Sequence, residues 1–213
     1  RLALACLPAL AHALLPEATR RFAAAYPQAS VSITPQDSPL LETWLTEQHF
    51  DLGLTERREA PAGTAIDALL QADEVAVLPD GHALLARRVL RARDFADQPF
   101  VSFAPADPYR EQIDAFFAER RVGRRLSLET SSAVSVCALV RQGLGVAIVN
   151  PLTAMELAGP GLHVRPLGWS IPFHVSLVTP QFRPGNPLRE PFVLALREAA
   201  AEMRGRLRRL ARE

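Results

Sequence analysis

Leu2-Ala3-Leu4-Ala5-Cys6-Leu7-Pro8, Val31-Ser32-Ile33-Thr34 and Asp51-Leu52-Gly53-Leu54 are three short apolar runs with two stretches of helical spacing between them. Runs of that length, bounded by Pro or Asp, read as buried strands. In residues 9–26, Leu10, Leu14, Ala18 and Phe22 recur every fourth residue and form one apolar stripe along a helix. Pro16 lies inside that stretch and predicts a kink or a late helix start. In the second stretch Ser38 reads as an N-cap and Pro39 as the first helical residue, with Leu40, Leu41, Trp44 and Leu45 inward. Strand, helix, strand, helix, strand is the order of a parallel, doubly wound α/β unit.

The same grammar continues outward. Residues 64–79 hold two more β-like runs, and 91–96 form a short helix. A second α/β unit begins at the strand Phe100-Val101-Ser102-Phe103. A helix opened by Asp107 or Pro108 runs to about Arg121, with Ile113, Phe116 and Phe117 inward. Arg125–Glu129 alternates as a strand. Thr130-Ser131-Ser132 caps a helix stopped by Gly143. A strand at 146–149 ends at Asn150-Pro151, a short helix spans 153–157, and strands follow at 162–165 and 173–178. A terminal helix covers 187–204.

Composition sets the class. The chain has 213 residues, 48% hydrophobic and 22% charged, which is ordinary for a globular protein with a sizeable core. A net charge of +1 does not describe a surface built to grip nucleic acid. No apolar run approaches a membrane span, and no signal peptide is evident. The basic residues are all arginine, which excludes a Schiff-base or P-loop lysine. Cys6 and Cys137 form no metal-type pair and read as buried thiols in a reducing cytoplasm. The chain starts at Arg1, directly on a strand, and so reads as a piece whose N-terminal part is missing.

Ligands of parallel α/β units bind beyond the carboxyl ends of strands, where helix N-termini present N–H groups. That rule selects Pro8, Ala9, Asp37 and Ser38 in the first unit. In the second it selects Ser102, Asp107, Thr130, Ser131 and Asn150. Each hydroxyl could serve only its own helix as a cap. Their recurrence at equivalent positions points to a shared site for a carboxylate or amide. Asp37, Asp107, Glu129 and Glu56 are acids that could meet a ligand ammonium group, or only solvent.

No catalytic constellation emerges. The five histidines, His12, His49, His82, His163 and His174, include no i, i+4 pair of the zinc type. There is no Gly-x-Ser-x-Gly elbow. Gly143-x-Gly145 ends a helix, the reverse of a dinucleotide fingerprint. Cys137 sits mid-helix among apolar residues, and a redox role at Cys6 has no neighbouring histidine assigned to it. The expectation is a binding domain without cofactor or metal.

Leu14-Leu15-Pro16 with Phe22 and Tyr26-Pro27, Asp51–Leu54, Ala76-Val77-Leu78-Pro79 with His82, and Val140–Ala147 occur in this order over nearly the whole chain. This pattern resembles the effector-binding domain of LysR-type transcriptional regulators. Leu128–Ala138 and Val149–Ala154, with Asp107–Arg110 and Ile171–Leu177, are similar to the subgroup of the diaminopimelate-sensing and opine-catabolism regulators. The subgroup often has Thr-His-Ser where this chain has Thr130-Ser131-Ser132. The resemblance implies a type II periplasmic-binding-protein-like fold, two Rossmann-like lobes with a hinged cleft. Lobe I would be 1–98 plus 175–213, and lobe II 99–174. It further implies an amino-acid-like effector in the cleft, homodimers or homotetramers, and DNA contact only through a winged helix-turn-helix that this chain lacks. The alternatives are a solute-binding protein or an enzyme on the same fold.

Overall fold

A computed structural model describes residues 1–212. The chain divides into two compact units: unit 1 is Arg1–Ala72 with His174–Arg206, and unit 2 is Asp73–Phe173 with the residues from Leu207 onward.

Unit 1 is built on a five-stranded sheet of β1 (Leu2–Cys6), β2 (Val31–Pro35), β3 (Leu52–Thr55), β4 (Thr64–Asp73) and β10 (Pro172–Pro180), in the order β2-β1-β3-β10-β4. β1 lies parallel to β2 and β3, the arrangement expected from the opening runs, whereas the returning β10 is antiparallel to β3. The stripe Leu10, Leu14, Ala18 and Phe22 is buried as the spacing predicts. It is carried by two helices, α1 (Pro8–Ala13) and α2 (Leu15–Ala25), broken at Leu14. Pro16 has no N–H and its ring clashes with the carbonyl four residues back, which disfavours a straight helix through this point. Phe22 meets Phe192 of the terminal helix α7 (Arg189–Leu210) edge-on, with centroids 5.2 Å apart. On α3 (Leu40–Thr46), Leu41 and Leu45 are buried, but Leu40 is exposed and Trp44 half-buried.

Unit 2 pairs β6 (Pro99–Phe103) with β7 (Arg125–Thr130) in parallel. A parallel bridge from Phe100 to Val146 continues this sheet toward β8 (Ala147–Val149). β5 (Val75–Leu78) then lies antiparallel between β8 and β9 (His163–Pro166). Around these strands pack α4 (Pro108–Glu119), α5 (Ala133–Arg141) and α6 (Pro151–Leu157). Gly143 takes φ +77° at the end of α5. Gly145 must be glycine for a different reason: a Cβ there would stand 2.6 Å from the Pro99 carbonyl oxygen.

The first division differs from the expected 98/99 boundary. It falls at Ala72/Asp73, because β5 is hydrogen-bonded to β8 and β9 of unit 2. The segment from β5 to the short 3-10 turn Ala92–Phe95 packs with that unit, and Phe95 contacts Phe100 and Phe117.

Candidate functional site

In unit 1, Cys6 is in register with Pro35 of β2 and Leu54 of β3, so the three strands end at one edge. Leu7, in extended conformation, turns the chain directly into α1, which places Pro8 and Ala9 at that edge. Asp37 and Ser38 follow β2 at the same edge and are exposed. Ser38 does not cap α3 as expected. The N-cap of α3 is Pro39, and Ser38 Oγ donates to Glu42 Oε1 at 2.6 Å. Asp37 likewise has a local partner, its N–H donating to the Gln36 side chain at 2.9 Å.

In unit 2 the register sets Ser102 opposite Glu129 and Phe103 opposite Thr130. Because the Phe100–Val146 bridge is also parallel, Asn150 after β8 shares their edge. Ser102 is 3% exposed and Asn150 6%. Asn150 Oδ1 accepts from Thr153 N–H at 2.8 Å and caps α6, while Ser132 Oγ accepts from Ser135 N–H at 3.3 Å and caps α5. Thr130 Oγ1 accepts from Ser132 N–H at 3.4 Å, which leaves the hydroxyl hydrogen available. Ser131, between them, is exposed. The structure therefore brings Ser102, Thr130, Ser131 and Asn150 to one edge of unit 2.

The acids are mostly committed elsewhere. Asp107 accepts from the N–H groups of Tyr109 (2.8 Å) and Arg110 (3.4 Å) and caps α4. Burial pushes its carboxyl above the ordinary value despite those bonds. Glu129 is engaged by Arg110 Nη1 at 2.8 Å. The Arg110 guanidinium also donates to the Phe103 carbonyl at 2.7 Å and to Asp114 at 2.6 Å. One carboxylate oxygen of Glu129 is thus already neutralised by Arg110. Sequence reasoning missed this buried arginine, since nothing in its spacing announces a partner nineteen residues away on another element. It also missed Thr55 and Ser176, buried polar residues paired across β3 and β10 at the edge where β3 ends.

The thiols do not fit a nucleophile or redox role. Cys6 and Cys137 are free and fully buried, and burial pushes each thiol up to about 12. A reactive cysteine needs the opposite shift. Among the described residues, no group of His, Cys, Asp or Glu side chains is placed to hold a metal ion. No helix among them is long and apolar enough to cross a membrane.

Comparison with known proteins places this geometry. The family described as LysR substrate binding domain matches residues 1–201. The chain belongs to that family. The transcriptional activator protein LysR of Escherichia coli K12 is 48% identical over 191 residues, covering 90% of this chain and 61% of that protein. The present LysR-family chain thus spans about three fifths of that relative's length. The regulatory protein NocR of Agrobacterium tumefaciens T37 is 28% identical over 198 residues, 93% of this chain and 66% of NocR. Among solved structures, the CcmR regulatory domain of Synechocystis PCC6803 in complex with 2-PG superposes with a TM-score of 0.77 at 16% identity. It covers 95% of this chain and 98% of that one. The effector binding domain of QuiR in complex with shikimate gives 0.73 at 17% identity, with 94% and 97% covered. The fold is that of LysR-family effector-binding domains, type II periplasmic-binding-protein-like.

Proposed function

We propose that the chain is the effector-sensing domain of a LysR-type transcriptional regulator. Its effector would be amino-acid-like, diaminopimelate or a lysine-related metabolite, and it would control transcription, for example of a lysine-biosynthesis gene. The observation that carries this reading is 48% identity to E. coli LysR across 90% of the chain. Pro8, Ala9, Asp37 and Ser38 of unit 1, and Ser102, Asp107, Thr130, Ser131 and Asn150 of unit 2, are the proposed contacts. Asp107 would act mainly by holding the start of α4. Lobes that close on effector, assembly as a homodimer or homotetramer, a cytoplasmic setting and DNA contact through an N-terminal helix-turn-helix belong to the same proposal. An effector shifts such a protein only through unequal affinity for its two states.

A second reading, an opine or arginine-type catabolism regulator, is favoured by the similarity to NocR and to the octopine regulator OccR of Rhizobium meliloti, 26% identical over 158 residues. Thermal shift with diaminopimelate, lysine, arginine, octopine and nopaline separates the two. A ligand at ~100 times its dissociation constant stabilises the fold by about 2.7 kcal/mol. A shift with diaminopimelate or lysine supports the first reading, one confined to arginine or the opines supports the second, and no shift overturns both. Thr130→Val removes a hydroxyl at near-constant volume, and about tenfold weaker effector binding is expected from one lost hydrogen bond. Unchanged affinity would remove Thr130 from the contact set.

A further inference from the structure

We propose that unit 1 carries a second small-molecule site, selective for small dianions, in the cavity lined by Arg58, His174 and Arg204. The cavity measures about 420 Å³, and its whole lining belongs to unit 1. None of the nine strand-end positions contributes to it. That volume suits a metabolite of a few carbons or a phosphate.

The chemistry of the wall points to negative charge. Three basic side chains line it and no acid does, while Gln71 and Ser176 add neutral hydrogen-bonding groups. Leu69, Leu70 and Val175 supply an apolar backing of low dielectric, against which a guanidinium attracts an anion more strongly than in open water. Arg204 is held in place through Nη1, which donates to the Leu69 carbonyl at 2.8 Å. Its remaining N–H groups can take an oxygen pair from a ligand. Among the described residues neither Arg58 nor Arg204 forms an ion pair, whereas Arg183 of the same unit is joined to Asp51 at 2.9 Å.

Position gives the site a consequence. Gln71 directly precedes the crossing at Ala72/Asp73, His174 directly follows the one at Phe173/His174, and Arg204 lies two residues before the one at Arg206/Leu207. A bound dianion would tie β4, β10 and α7 together at the points where each leaves unit 1. The ligand class is shared by dicarboxylates and by phosphate, and the experiment has an arm for each.

The 15N-labelled chain is titrated separately with succinate and with inorganic phosphate at constant ionic strength, following amide shifts. Saturable shifts centred on residues 69–71 and 174–176 are expected with at least one anion, and which anion saturates names the source. Arg58→Gln, on an exposed loop, should weaken binding about tenfold, as should Arg204→Gln. Arg57→Gln removes the same charge one residue outside the lining and should change affinity less than about twofold. No saturable shift with either anion overturns the site. So do shifts centred at the strand ends near Ser38 or Thr130, and so does equal weakening by Arg57→Gln. Any of those outcomes leaves the amino-acid effector screen to stand or fall by itself.

Discussion

The strand-end edges of the two units use the same short polar residues in opposite ways. In unit 2 they are part of the fold: Ser102 and Asn150 are buried, and Asn150, Ser132 and Asp107 each cap a helix. In unit 1 Asp37 and Ser38 stand exposed, and their bonds run to near neighbours, Gln36 and Leu41 for Asp37 and Glu42 for Ser38. On the proposed reading, an effector would meet groups in unit 2 that folding has already oriented, and groups in unit 1 that are exposed and held only locally. Substitution in unit 2 should therefore cost stability and binding together, and substitution in unit 1 chiefly binding.

The contrast can be broken first at the core. Phe117 is buried in unit 2 against Phe95, Phe100 and Trp169. Phe117→Ala should cost about 4 kcal/mol, the usual scale for emptying a packed aromatic site. The chain has two tryptophans, Trp44 in unit 1 and Trp169 in unit 2, so urea unfolding in Trp44→Phe and Trp169→Phe backgrounds reads each unit separately. A midpoint that moves equally for both reporters would show that the units unfold as one, and the contrast would then be one of sites and not of stability.

Asp51 gives the next effect, and it belongs to unit 1. Burial pushes its carboxyl up. Hydrogen bonds from Ala3 N–H, Arg183 and Asn186 outweigh burial and hold it below the ordinary value. A depressed carboxylate contributes stability that is present above its unfolded pKa and lost as pH falls through the folded value. Asp51→Asn should cost about 2 kcal/mol at neutral pH, with a shallower loss of stability below about pH 4. Parallel acid-unfolding curves for the two proteins would show that Asp51 is no such anchor.

Two smaller substitutions test the edges themselves. Asn150→Ala removes a helix cap and should cost about 1 kcal/mol. Ser38→Ala caps nothing and should cost under about 0.5 kcal/mol in chemical denaturation. If Ser38→Ala proves as costly as Asn150→Ala, the division into built-in and surface groups fails.

Much of the architecture is legible in the order of residues alone. Four-residue spacing locates the buried stripe from Leu10 to Phe22, and turn chemistry locates the caps at Asp107 and Ser132, because both signals are local. The cap at Asn150 reads in sequence only as a strand end, with the helix expected to start near Thr153. The capping role expected of Ser38 is absent, because α3 begins one residue later than the local signal indicates, with Pro39 at its N-cap. Local sequence offers Glu129 as an acid for a ligand ammonium, and the fold also brings Arg110 to one of its oxygens.

Sequence by itself determined the kinds of elements, their order, the strand-end positions and the family, since each rests on spacing or on ordered motifs along the chain. Tertiary structure decided that β5 joins unit 2 and that Arg110 takes Glu129. It also decided that Arg58, His174 and Arg204 line one cavity. Those are pairings between residues tens of positions apart, and the short-range periodicity that marks a helix or strand carries no information about which distant partner it will meet.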